Sequence, residues 1–114
     1  MPGVERLEAS AFHGTRLDRP GRTTVAFVAA WCPFCREFLP RYQAREGTVP
    51  GTLATVDLSE EENPLWERFH IDVVPTLIGF ESGSERWRVD GILGRGMDPP
   101  MLEAALRRWG APTR

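Results

Sequence analysis

The sequence predicts an α/β fold, a central mixed β-sheet flanked by helices on both faces. Residues 23–29, TTVAFVA, form a continuous β-branched and apolar run, the pattern of a strand buried on both faces. Two later stretches, PFCREFLPRYQAR and DPPMLEAALRRWG, place apolar residues at helical spacing. The elements also run strand, helix, strand, helix, then a hairpin and a last helix. That order joins parallel strands through helices and adds an antiparallel pair at the end.

The elements follow in turn. Residues 1–9 are expected to be a loose lead-in to a single domain spanning 1–114, with SAFHG as a short helical turn and DRPG as a turn. After the strand at Thr23–Ala29, a helix is expected from Pro33 to about Arg45. Phe34, Phe38, Leu39 and Tyr42 supply its apolar face, and Pro40 interrupts one backbone hydrogen bond. Thr52–Leu58 reads as a second strand. Asn63 then caps a short helix, Leu65–His70, with Pro64 in its first turn. Thr76–Phe80 is a third strand, ESGS a hairpin turn, and Glu85–Asp90 an alternating edge strand. Asp98 caps the last helix, whose stripe is Met101, Leu102, Ala105, Leu106 and Trp109, and Gly110 ends it.

Composition narrows the function classes. A chain of 114 residues with 41% hydrophobic and 26% charged residues can bury a core without staples. Its net charge of −2 gives no reason to expect binding to nucleic acid or to an anionic membrane. The longest apolar run, Val25–Trp31, is too short to span a bilayer. Charges stand in MPGVERLEAS where a secretory leader needs a hydrophobic stretch, which predicts a cytoplasmic location. All 14 basic residues are arginine, so no lysine can act as a base or a tunable cation.

The chain's only two cysteines stand in AAWCPFCREFLP. Cys32 falls where the strand gives way to the helix, and Cys35 lies one turn further in. Unpaired amides and the helix dipole at such a position favour a thiolate. Cys32 is therefore the expected nucleophile toward a disulfide, and Cys35 the thiol that resolves the mixed disulfide. The competing readings are weaker. Zinc would need four ligands, and His13 and His70 show no ligand spacing. A structural disulfide across so short a loop constrains little of the unfolded chain. A redox-silent pair is left open by the residues alone.

WCPFC after AFVAA, Pro40 in the helix, and VVPT at 73–76 together resemble the thioredoxin family, over about residues 10–110. The stretch NPLWERFHIDVVPTLIGFESG is similar to that family's second half, and Gly91 or Gly94 matches its glycine after the hairpin. The resemblance implies the thioredoxin fold, with Pro75 after a cis peptide bond beside the cysteine pair. A proline at the start of a strand gives no ladder donor, and only a prolyl bond makes cis accessible. The Val74 backbone is then free to pair with an incoming peptide. Trp31, Pro33, Phe34, Val74, Pro75 and Thr76 are the expected surface for a substrate disulfide. Trp66, Trp87 and Trp109 are expected to be packing residues.

The chain departs from the family at several positions. Ala26 stands where thioredoxins usually carry a buried aspartate, and Thr55 where many carry a lysine. Both halves of that pair are missing together, and Asp57 is the available substitute on the same strand face. Pro33-Phe34 replaces the usual Gly-Pro, and Phe34 has no hydrogen to give a thiolate. These features imply a thiol-disulfide oxidoreductase that reduces protein disulfides without metal or organic cofactor. Its partners would be disulfide-containing proteins and a reductase or small-thiol electron donor, and it would act as a monomer. The alternatives are a glutathione-dependent, glutaredoxin-like enzyme, whose cysteine-proline-aromatic-cysteine turn is similar, and a non-catalytic module for peptide binding or redox sensing.

Overall fold

A computed structural model describes residues 4–110. The main sheet has five strands in the order β1-β5-β4-β6-β7. These are β1 (Glu5–Leu7), β4 (Arg22–Val28), β5 (Thr52–Asp57), β6 (Thr76–Glu81) and β7 (Ser84–Asp90). A two-stranded ribbon, β2 (Phe12–His13) with β3 (Arg16–Leu17), stands apart from it. The helices are α1 (Pro33–Gln43), α2 (Leu65–Arg68) and α3 (Pro99–Leu106), with a 3₁₀ turn at Arg107–Trp109.

β4 sits at the centre, parallel to β5 and antiparallel to β6, as the run TTVAFVA predicts. Its residues Thr23–Val28 are all buried, so the strand needs apolar residues on both faces. Phe27 meets Phe12 and Phe69 on one face, where Phe80 joins them. Thr24 belongs to the other face, where the Trp109 indole donates to its hydroxyl at 2.9 Å and the Tyr42 hydroxyl reaches its carbonyl. The sheet is thus covered on both sides.

Tyr42 ties α1 to the sheet. Its hydroxyl lies 2.8 Å from the Thr24 carbonyl oxygen and 2.9 Å from that of Ala54. Full burial pushes its ionisation well above the usual tyrosine range, so it stays a donor. Tyr42→Phe is expected to lower stability by about 1–3 kcal/mol, the cost of leaving buried carbonyls short of a donor. Denaturant unfolding measures it, and an unchanged midpoint would contradict that role.

The lead-in departs from expectation. Residues 5–7 are no loose tail but an edge strand, β1, parallel to β5 with Arg6 opposite Thr55. Leu7 is buried, and Glu5 holds Arg19 through two contacts of 2.7 and 2.9 Å. The first two residues of SAFHG close a 3₁₀ turn at Ala9–Ala11, and Phe12–His13 pass into β2. The other boundaries move by small amounts. α1 runs through Pro40 but stops at Gln43, because Arg45 and Glu46 turn back with bonds to the carbonyls of Tyr42 and Gln43. α2 ends at Arg68, and Asn63 caps from one residue further out, its side chain accepting the Leu65 amide at 2.9 Å. Asp98 caps α3 as expected, accepting the Met101 amide at 3.1 Å.

At the far edge, β7 pairs with β6 and carries Arg86 and Arg88, which are held by Glu81 and Asp90. The β2–β3 ribbon is joined to the hairpin by the Leu17 amide, which donates to the Gly83 carbonyl at 3.0 Å. Among the described residues no helix is long and apolar enough to cross a membrane.

Candidate active site

The C-terminal end of β4 delivers the chain to Cys32, which is the N-cap of α1. An N-cap side chain accepts from the open amides of the first turn. Here the Cys32 sulfur takes the Cys35 amide at 3.2 Å. Across the site, Cys32 Sγ lies 3.6 Å from the Val74 carbonyl oxygen and donates to it. Both thiols are free. Cys32 retains 5% of its surface and Cys35 none, so the outer sulfur is the one a substrate can reach.

Burial pushes the Cys35 thiol up to about 12, and a hydrogen bond to Cys32 and the Cys32 charge add to it, against a smaller opposing bond from the Ala29 backbone. Cys35 is therefore almost wholly protonated at neutral pH. Burial is the dominant cause and persists once Cys32 is occupied in a mixed disulfide. The rate at which Cys35 releases such an adduct is expected to rise about tenfold per pH unit from pH 6 to 9, following the thiolate fraction. Acid quenching at intervals measures it, and a flat profile would show that a base inside the protein takes the proton.

Among the described residues no carboxylate is placed to be that base. Ala26 is fully buried in the middle of β4, level with Thr55 on one side and Leu77 on the other. Partial burial pushes the Asp57 carboxyl up. The Ser59 hydroxyl and amide and the Arg6 guanidinium outweigh that effect and hold it below the usual carboxylate range. Arg6 lies at 3.0 Å and the Ser59 amide at 2.9 Å. A carboxylate so well satisfied is a weak base, and Asp57 serves as a strand-end contact.

The Val74–Pro75 bond is cis. Gly91 packs against this step, its amide donating to the Pro75 carbonyl at 2.9 Å, and any Cβ on it would come within 2.5 Å of that oxygen. Gly91 is thus the glycine beside the proline step, and Gly94 stands at the open tip of the following turn. Gly96, at φ 76°, lies under Phe34, whose Cβ would sit 2.5 Å from a side chain there.

These pieces frame a groove of about 230 Å³ lined by Trp31, Cys32, Pro33, Phe34 and Val74. Trp66, Asp72, Val73, Ile92, Leu93 and Gly94 complete the lining. Four of the six predicted surface residues, Trp31, Pro33, Phe34 and Val74, are thus brought together with Cys32. Thr76 is not among them: it is fully buried, and its hydroxyl donates to the Val73 carbonyl at 2.6 Å, pinning the loop from beneath. Pro75 is likewise buried and shapes the groove without lining it.

Trp66 is more than packing. It stacks on Trp31 with rings 6.3 Å apart and 7° from parallel. Its indole nitrogen reaches the Leu58 and Glu60 carbonyls, while that of Trp31 donates to the Ser59 carbonyl at 3.1 Å. Ser59 also accepts the Ala30 amide at 2.7 Å. Neither Ser59 nor the 92–94 turn carries a motif that singles it out in sequence. Among the described residues no group of three or more His, Cys, Asp or Glu is placed to hold a metal.

A mixed sheet that presents a free CxxC pair at a helix N-terminus, beside a cis-proline, defines the class of folds built for dithiol chemistry. The family model for thioredoxin matches residues 3–97. The chain belongs to the thioredoxin family, whose members are thiol-disulfide oxidoreductases. It is 33% identical over 92 residues to protein disulfide-isomerase A3 of Gallus gallus, covering 77% of this chain but 18% of that protein. It is also 33% identical over 73 residues to thioredoxin of Chlamydia pneumoniae, covering 63% of this chain and 71% of the relative. The fold matches that of spinach chloroplast thioredoxin f with a TM-score of 0.72 at 19% identity, over 92% of this chain and 91% of the other.

Proposed function

We propose that this protein reduces disulfides in other proteins, with Cys32 as nucleophile and Cys35 as resolving thiol. The observation that carries the reading is the Cys32 sulfur at the mouth of an apolar groove, with Cys35 sealed behind it. The Cys32 thiolate attacks one sulfur of the substrate disulfide and displaces the other as a thiolate. Cys35, having lost its proton to solvent, attacks Cys32 Sγ and expels the second substrate sulfur. The substrate gains two electrons and, with two protons, leaves as two thiols; the protein is left with a Cys32–Cys35 disulfide. A reductase or a small thiol must then restore the pair.

The donors available support that direction. Cys32 Sγ accepts the Cys35 amide, and Phe34 supplies no hydrogen to it. A reduced form with few stabilising donors is not a strong oxidant. A reducing compartment, the cytoplasm, suits a protein whose two thiols must be kept free. The two cysteines stand one helical turn apart on a single chain, so the exchange needs only a monomer.

The test is the reduction potential, measured by equilibrating the protein in graded thiol-disulfide buffers and quantifying free thiols by alkylation. A value near about −270 mV is expected for a reductant, whereas one near −200 mV or above marks an oxidant or isomerase. If no reversible dithiol-disulfide transition exists, the reading is wrong.

A further inference from the structure

The three large hydrophobic residues left exposed among the described residues all border one groove: Trp31 (57%), Ile92 (41%) and Leu93 (83%). Exposed apolar area concentrated in this way marks a contact surface. Only one charged side chain lines that groove, Asp72. Among the described residues Asp72 makes no ion pair. Arg95 is held by Asp98 at 3.5 Å and Arg36 by the Ala30 carbonyl at 3.0 Å. Beyond Trp66, the loop that precedes α2 adds Glu60, Glu61 and Glu62, all exposed and likewise without ion pairs among the described residues.

We propose that the groove selects disulfide-bearing segments with an apolar residue beside the half-cystine and a lysine or arginine nearby, Asp72 being the specificity-determining contact. This inference rests on the oxidoreductase reading above. Asp72, exposed at the rim of an apolar groove and without a counter-ion, attracts a cation and repels an anion. Asp72 stands two residues before Val74, the backbone position a substrate segment would pair with. A strand alternates its side chains, so a residue two positions from the half-cystine faces the same way along the groove. Leu93 and Ile92 supply exposed apolar surface to the same groove.

The test uses two synthetic peptides, each closed by one disulfide and identical except for lysine or glutamate two residues from each half-cystine. The reduced protein is mixed with each, and the rate is read by acid quench and alkylation mass, normalised to dithiothreitol with the same peptide. Asp72 is exposed, so Asp72→Asn and Asp72→Arg are compared with the unaltered chain. The unaltered protein is expected to favour the lysine peptide by about three- to tenfold at low salt, the range of an exposed charge pair. Asp72→Asn should narrow that ratio, Asp72→Arg reverse it, and half-molar salt erase it. The same ratio in all three proteins overturns the inference while leaving the oxidoreductase reading intact. Absence of exchange with either peptide in the unaltered protein overturns both.

Discussion

Cys32→Ser is expected to abolish disulfide exchange, leaving only the uncatalysed rate, while Cys35→Ser is expected to leave the first attack intact and trap its product. The two cysteines are one helical turn apart, yet their surroundings give them separate tasks. Cys32 lies at the groove mouth, bonded to the Cys35 amide and facing the Val74 carbonyl. Cys35 has no exposed surface, and its thiol is held up to about 12, mainly by burial. A serine at 32 removes the sulfur that a substrate can reach, and a hydroxyl is not a nucleophile toward disulfides at neutral pH. A serine at 35 removes the escape route. After mixing with a disulfide-bearing peptide, the Cys35→Ser protein should gain the mass of one peptide thiol, reversibly with dithiothreitol. The Cys32→Ser protein should gain nothing. Adducts found on Cys35 in the Cys32→Ser protein would reverse the assignment of roles.

Ala26→Asp is the second change with a large expected effect, and it acts on stability and rate in opposite senses. Position 26 has no exposed surface and lies between β5 and β6. Thr55, level with it, offers no cation. An unpaired carboxylate there should cost about 3–5 kcal/mol at neutral pH. Burial raises the folded-state pKa of such a group above the value near 3.9 it has when unfolded. Any stability it leaves is therefore greatest below about pH 4 and falls as pH rises through the folded-state pKa. Unfolding curves compared with the unaltered protein from pH 3 to 8 measure that slope; a pH-independent loss would point to steric rather than electrostatic cost. On the rate side, a carboxylate on the α1-facing side of β4 gives the Cys35 proton a local acceptor. Release of a preformed mixed disulfide should quicken and lose part of its rise with pH.

The parts of this molecule that could be read from its sequence are those whose signal is local. A β-branched run buried on both faces identifies β4, and the CxxC pair lies at the strand–helix junction because a prolyl residue starts α1. Asp98, three residues before the amide it caps, is equally self-contained. What escaped depends on contacts far along the chain. β1 has three residues, too few for any period, and exists through pairing with β5 almost fifty residues later. Thr76 looks like a surface residue beside Pro75, yet β6 is buried on both sides and turns its hydroxyl to Val73. The groove draws on four separate segments, so Asp72 and Leu93 carry no mark of it in sequence. Trp66 is identified only by its stack on Trp31.

The two margins of the sheet are finished differently. On one side the last strand is only Glu5–Leu7, with the charged residues Glu5 and Arg6 exposed. On the other, Arg86 and Arg88 with their acidic partners border β7, and the small ribbon is bonded to its turn. A sheet grows by recruiting a foreign strand onto a long, flat, apolar border, and neither margin provides one. This chain can therefore carry an adhesive patch around its reactive sulfur and still resist edge-to-edge stacking with its own copies.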